Sequence, residues 1–364
     1  MFLHRVCRPL PCCSFLLAAF FSLSANAQAT FADSTDLLGQ QALHSGIAVG
    51  IADVDDDGLD DLLVLDDARI LHVFFQKADG GFEGVQVGEL ASNNIWSMTA
   101  GDVDNDGWLE IMTGGYYEGI RITDWHAADS TWQSGLLPES DIFVQGSNFA
   151  DLDADGWLEA FACHDDAASR LWRNLGNGLF EPAFDWIDFH TTPPSDNSGN
   201  YGSVWTDFDT DGDIDLYIAK CRQGVDDPQD ARRINVLYEN DGTATFAETG
   251  GAWGLRIAHQ SWTAEFQDID NDGDFDALVT NHDAPLQLLE NQGGRFVDIA
   301  AEAGVAVDGY FLQGIMRDLD NDGFVDILLA SPARYFHNNG DKTFTQVQVP
   351  PFTQTMLSLA TGDL

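Results

Sequence analysis

The chain has 364 residues, with 60 Asp plus Glu against 16 Lys plus Arg and a net charge of −44. Such an excess of acid excludes nucleic acid as a partner, because phosphate binding needs the opposite sign, and it disfavours an anionic membrane surface for the same reason. The carboxylates are then either a solubilising coat or a set of metal ligands, and their placement decides which.

Residues 1–27 read as an export signal. Arg5 and Arg8 make a basic start, 15–23 is a short apolar run, and Ala25, Asn26 and Ala27 supply the small residues of a cleavage site. Cleavage would leave Gln28 first and take the net charge to −46. The apolar run is too short to span a bilayer, and nothing later reaches the roughly 18 apolar residues a span requires. The expected product has no transmembrane segment and is secreted: extracellular, periplasmic or at the cell surface. A lipoprotein is disfavoured, since Cys12 and Cys13 precede the apolar run instead of following it. Removing the signal leaves two of the five cysteines, Cys163 and Cys221. A disulfide between them and a pair of buried thiols both stay open.

One pattern, D-x-D-x-D-G-x-x-[DE], starts at Asp53, Asp102, Asp151, Asp207, Asp268 and Asp318, at spacings of 49 to 61 residues. Self-similarity at such a period sets the architecture. Small and apolar stretches such as 97–101 and 261–267 precede the loops, and alternating apolar runs such as 215–219 follow them; both read as strands. Hairpins follow at 171–180, 237–246, 289–296 and 335–344, with Asn and Gly at the tips to supply the positive φ of tight turns. Each unit is therefore four strands. Units of this size cannot bury both faces alone, and radial stacking solves the problem while protecting the edges. The predicted fold is an all-β propeller of four-stranded blades; a parallel β-helix has much shorter turns.

The two ends extend the pattern. Thr30, Phe31, Ala32 and Asp33 resemble the outer-strand segment 295–298, which predicts that the N-terminal stretch completes the last blade and closes the ring. Residues 357–364 mirror 96–103 and place Asp363 where a seventh loop would start. The expectation is a seven-bladed propeller over 28–364, with six full repeats and a last blade truncated in this sequence.

Oxygen ligands at alternate positions, with glycine at the sixth, suit a large hard cation that takes six to eight oxygens. The expected ion is calcium, about one per loop. The side-chain ligands would be Asp53, Asp55, Asp57 and Asp61; Asp102, Asp104, Asp106 and Glu110; Asp151, Asp153, Asp155 and Glu159; Asp207, Asp209, Asp211 and Asp215; Asp268, Asp270, Asp272 and Asp276; and Asp318, Asp320, Asp322 and Asp326. The main-chain carbonyl of position seven would complete each set. EF-hands are excluded, because their twelfth position is here Val64, Thr113, Ala162, Ile218, Val279 or Leu329. Without metal the carboxylates would repel one another, so stability is expected to follow calcium.

At these residues the sequence resembles the FG-GAP/VCBS repeat family, which includes the propeller head of integrin α chains. Segments 202–217 and 296–305 are similar to the ASPIC/UnbV and cartilage acidic protein group, whose C-terminal module has no counterpart here. The resemblance implies a fold and a cation, with calcium loops on one face and ligands bound on the other, but hardly which ligand; the expected partner on that second face is a protein or a glycan. Two insertions, 188–200 and 222–232, would then lie on that second face, with His164, Asp165, His190, Tyr201, Arg222, Trp262 and His282 nearby as a candidate recognition region; ordinary surface loops are the plain alternative. No catalytic motif is visible. The expected function is a calcium-binding adhesion or binding scaffold, not an enzyme. The alternatives are a polysaccharide lyase, which clustering of Arg222, Arg232, Arg233 and His190 in one groove would favour, and a purely structural module of a larger surface protein.

Overall fold

The computed structural model describes residues 31, 34–39, 43–126, 130–347 and 358–362. The export signal, Thr30, Ala32, Asp33 and Asp363 lie outside the described residues. Among those described are six four-stranded sheets, each running in chain order from an inner to an outer strand. They are the six full repeats of a β-propeller, numbered here as blades 1 to 6.

The inner strands are Ser45–Ala52, Ile95–Gly101, Val144–Ala150, Asn200–Thr206, Ser261–Gln267 and Gly314–Arg317. Each ends at an Asp loop, and the second strands begin at its last acid: Asp61–Asp66, Glu110–Gly115, Glu159–His164, Asp215–Lys220, Asp276–Asn281 and Asp326–Leu329. Every pairing is antiparallel, with a register such as Val204↔Tyr217 followed by Tyr217↔Leu237. From blade 2 onward the second strands are buried at every residue, because both of their faces meet a neighbouring blade. The edge strand Thr131–Leu136 is mostly exposed.

The apolar core is accordingly a series of layers between blades. Phe208, Tyr217 and Leu237 of blade 4 pack on Phe266, Ala277 and Phe296 of blade 5. Leu278 and Leu288 of blade 5 pack on Met316, Ile327 and Phe344 of blade 6. Blade 6 presents its next face, Ile315, Leu328 and Tyr335, to Phe31 and Leu359. Phe31 stands edge-on to Tyr335 with ring centroids 5.6 Å apart. Leu359 exchanges two hydrogen bonds with the Gln313 side chain, at 2.7 and 3.2 Å. Residues 359–361 therefore run between the inner strands of blades 6 and 1, lining one cavity with Ile51, Ala52 and Arg317. Two interblade links, Gly250–Trp253 and Ala300–Ala303, form single helical turns.

Neighbouring blades are also tied by amide side chains. Asn338 Nδ2 donates to the Ile269 carbonyl of blade 5 at 2.8 Å and to Val325 O at 3.0 Å. Asn174 does the same between blades 3 and 2, donating to Val103 O at 2.8 Å. Removing such a group leaves buried carbonyls without a donor, which costs about 1–3 kcal/mol. Asn338→Ala is therefore expected to lower unfolding free energy by about that amount, measured by chemical denaturation.

Candidate functional site

Each Asp loop is organised by its first carboxylate. That group accepts the N–H of position five on one oxygen and of the position-six glycine on the other, at 2.9 to 3.2 Å in all six loops. The wrap requires left-handed backbone twice: position four has φ of 56° to 62°, and the glycine 86° to 101°. Only glycine adopts the second without strain. The loop thus holds its shape through its own backbone, with the remaining carboxylates facing one another.

Position nine carries a buried acid. Asp61, Glu110, Glu159, Asp215, Asp276 and Asp326 are at most 2% exposed. In five loops one oxygen of this acid accepts the N–H of position two at 2.8 to 3.2 Å. Burial pushes the carboxyl of Asp61 up to about 6, those of Glu159 and Asp276 to about 7, and those of Glu110 and Asp215 to about 8.

Several buried oxygens in these loops have no hydrogen-bond partner: Asp55 Oδ1, Glu110 Oε1, Asp153 Oδ1, Asp209 Oδ1, Asp215 Oδ2 and both oxygens of Asp320. Leaving such atoms unpaired is costly unless something else satisfies them. The donor set is all hard oxygen, and in loops 1, 2 and 3 at least three ligand atoms lie within 4.8 Å of one another. The residues present therefore fit a hard divalent cation. Sequence reasoning missed a position that differs from loop to loop, the third-strand residue opposite the position-nine acid in strand register: Phe75, Asp124, Arg173, Glu239, Glu290 and His337. Its signal was available, since four of the six precede the hairpin Asn at 174, 240, 291 and 338.

The opposite ends of the inner strands open into a funnel of about 860 Å³, lined from all six blades. Its wall carries Trp96, Phe143, Tyr201, Trp262 and Tyr310, over a floor with Gln145, Ser147, Asn148, Ser203 and Gln313. Tyr201 and Trp262 stack at 5.8 Å, and Trp262 meets Tyr310 at 5.4 Å. Of the expected recognition residues, Asp165, Tyr201, Arg222 and Trp262 line this funnel. His282 supports them from behind, 4.1 Å from Trp262 and 4.3 Å from Tyr310 between ring centroids. His164 is buried against Tyr117. His190 is exposed and pairs with Asp188, away from the funnel wall.

The two insertions do pack together. Gly199 donates to Asp165 O at 2.7 Å and accepts from Cys221 N at 2.8 Å. A Cβ at Gly199 would sit 2.3 Å from Arg232 O, so only glycine permits this approach. The Gln260 amide clamps the start of the second insertion, accepting from Arg222 N at 2.6 Å and donating to Arg222 O at 2.9 Å.

Three arginines of this region are paired with acids. Arg222 lies 3.2 Å from Asp165 and 3.3 Å from Asp166; Arg232 is held by Asp230 at 2.7 Å, and Arg233 by Asp283. They do not form the open basic groove a lyase would need. Cys163 and Cys221 are free and buried. Cys221 Sγ lies 3.7 Å from His282 Nδ1, a juxtaposition the sequence did not reveal. Burial pushes both thiols up to about 12 and His282 down to about 4, so neither a thiolate nor an imidazolium is favoured there.

Comparison with known proteins agrees with this architecture. The FG-GAP-like repeat matches residues 53–113, 151–218, 207–279, 268–329 and 318–364. No curated protein matches the sequence. Among solved structures, BBS1N in complex with ARL6DN, soaked with lead, aligns with a TM-score of 0.53 at 12% identity, over 85% of this chain and 84% of that one. The same complex soaked with mercury gives 0.52 at 10% identity over the same shares. The V. cholerae biofilm matrix protein Bap1 aligns at 0.40 and 16% identity, over 74% of this chain and 41% of that one. No helix among the described residues is long and apolar enough to cross a membrane. With five matched repeats spread over most of its length, the chain belongs to the family of FG-GAP-like repeat proteins.

Proposed function

We propose that this protein is an exported binding scaffold, rigidified by calcium in its Asp loops, that holds a protein or glycan ligand in the aromatic funnel on the opposite face, as an adhesion module would. The observation that carries the reading is the division between faces: buried, unpartnered carboxylate oxygens at one end of the inner strands and exposed aromatic rings at the other, where Trp96 is 39% and Tyr310 49% exposed. Aromatic faces beside neutral amides and hydroxyls suit sugar rings or apolar peptide side chains. BBS1N, to which this chain is similar in fold, is itself found in complex with a partner, ARL6DN. Binding is favoured over catalysis because Arg222, Arg232 and Arg233 near the funnel are paired with acids and burial favours the neutral forms of Cys221 and His282 behind it.

Saturating calcium is expected to raise the unfolding temperature by roughly 10 °C or more over the chelated protein, since each ion at a hundredfold excess over its Kd contributes about 2.7 kcal/mol. Differential scanning fluorimetry at neutral pH checks this, and an unchanged midpoint would overturn the calcium reading.

The pH dependence of the chelated protein has a definite sign. The position-nine carboxyls of blades 1 to 5, Asp61, Glu110, Glu159, Asp215 and Asp276, have folded values raised above the unfolded range near 4, so the fold favours their protonated form. Their stabilising contribution is fully present below about pH 4 and is lost as pH rises through about 6 to 8. The unfolding temperature in chelator should therefore fall between pH 5 and pH 8, while calcium, which needs the charged form, widens its advantage over the same range.

For the ligand face, glycan and protein arrays probed with the calcium-loaded protein should yield binders whose affinity drops at least about tenfold in Trp262→Ala, a typical loss for a buried aromatic anchor. Binders unaffected by Trp262→Ala and by Tyr310→Ala would remove the funnel from the reading.

A further inference from the structure

We infer that the six Asp loops are not six equal calcium sites: those of blades 3 and 5 carry a built-in cation from the protein itself, and hold calcium more weakly than those of blades 1, 2, 4 and 6. This rests on the calcium reading above and adds which loops the ion fills first.

The strand register places one side chain over each loop. The third-strand residue whose N–H donates to the position-nine acid is Gln76, Asn174, Asn240, Asn291 or Asn338, at 2.8 to 3.4 Å. The residue before it is Phe75, Arg173, Glu239, Glu290 or His337, and in blade 2 the register gives Asp124. The position is therefore occupied by an acid in three blades and by a permanent cation in one.

Arg173 Nη2 lies 3.1 Å from Asp153 Oδ2 and 3.9 Å from Asp155 Oδ2, the third and fifth positions of loop 3. Its guanidinium also sits over the Trp186 ring, 5.5 Å from the centroid, which fixes it from the other side. In loop 5 the cation comes from the next blade. Lys342, in the hairpin turn of blade 6, donates through Nζ to both Asp270 and Glu290. Asp270 is the third-position ligand of that loop.

The other four loops are different. Two nine-tenths-buried carboxylates point an unpartnered oxygen into them, Glu110 Oε1 in loop 2 and Asp215 Oδ2 in loop 4. In loop 6 both oxygens of Asp320, whose side chain is 1% exposed, lack hydrogen bonds, and His337 Nδ1 stands 3.2 Å away. In loop 1 Asp55 Oδ1 is unpartnered, and the corresponding third-strand position holds the neutral Phe75. Loop 3 keeps one such oxygen, Asp153 Oδ1, but beside the guanidinium. Among the described residues, loop 5 keeps none at positions three or nine. A divalent ion entering loop 3 or 5 has to displace or tolerate a positive group on its own ligand, and this repulsion acts in a partly buried site where screening is weak.

Native mass spectrometry and calorimetry against calcium count the ions. The wild-type protein should take up four ions tightly and two at least about tenfold more weakly, a difference of about 1.4 kcal/mol or more. Arg173→Gln should raise the tight count to five, Lys342→Gln likewise, and the double variant to six. Crystals of the unmodified protein soaked at sub-saturating calcium give an answer that needs no variant: density at loops 1, 2, 4 and 6 ahead of loops 3 and 5. Six equal ions in the wild type, or variants that leave the count unchanged, overturn the inequality alone. No tight ion at all overturns the calcium reading on which it stands.

Discussion

The structure depends on the acid that begins each second strand. In every blade the chain leaves the inner strand, wraps around its first Asp and buries the ninth-position carboxylate at the base of the sheet, where Asp326 and Asp215 are almost wholly removed from water. A charge placed there is costly unless it is paired. Two backbone N–H groups supply part of the answer, from position two and from the third strand. The loop, the first hairpin and the third strand are thereby locked to one acid, which sets the register of the whole blade.

The same acid links one blade to the next. The strand residue that reaches it is most often an Asn, and the side chains of Asn174 and Asn338 extend sideways to a loop carbonyl of the preceding blade. Loop-to-loop bonds add to this, as Asn105 donates to Gly156 O at 3.2 Å and Asn271 to Gly323 O at 3.0 Å. Anything that neutralises a loop therefore stiffens the contact between blades as well as the blade itself. The interblade apolar layers provide the bulk of the burial, and the polar ring around the loops fixes how the layers are aligned.

Much of this was legible in the sequence because it is local and repeated. A nine-residue loop with Gly at its sixth position, a strand on either side and an Asn-Gly hairpin can be read from neighbouring residues, and repetition turns one weak signal into six concordant ones. What could not be read is lateral. Arg173 meets Asp153 across 20 positions, and Lys342 meets Asp270 across 72, so neither pair is visible among neighbouring residues. The Cys221–His282 contact and the Arg222–Asp165 pair, 61 and 57 positions apart, were hidden for the same reason. His190 was grouped with the recognition residues on its loop's position alone, and the loop turns its side chain outward to Asp188.

Charge bookkeeping connects the two faces. With only 16 basic side chains against 60 acidic ones, most cations that could meet a ligand are already committed to the protein's own acids. On the loop face Arg173 and Lys342 relieve carboxylate crowding. On the funnel face Arg222, Arg232 and Arg233 tie down the two insertions by pairing with Asp165, Asp230 and Asp283. The funnel is left with rings and neutral amides as its accessible recognition groups, beneath a strongly negative molecular field. An anionic ligand would be repelled at a distance by that field, so a ligand of the proposed funnel site is expected to be neutral or cationic, gaining from stacking on Trp262 and Tyr310 more than from charge.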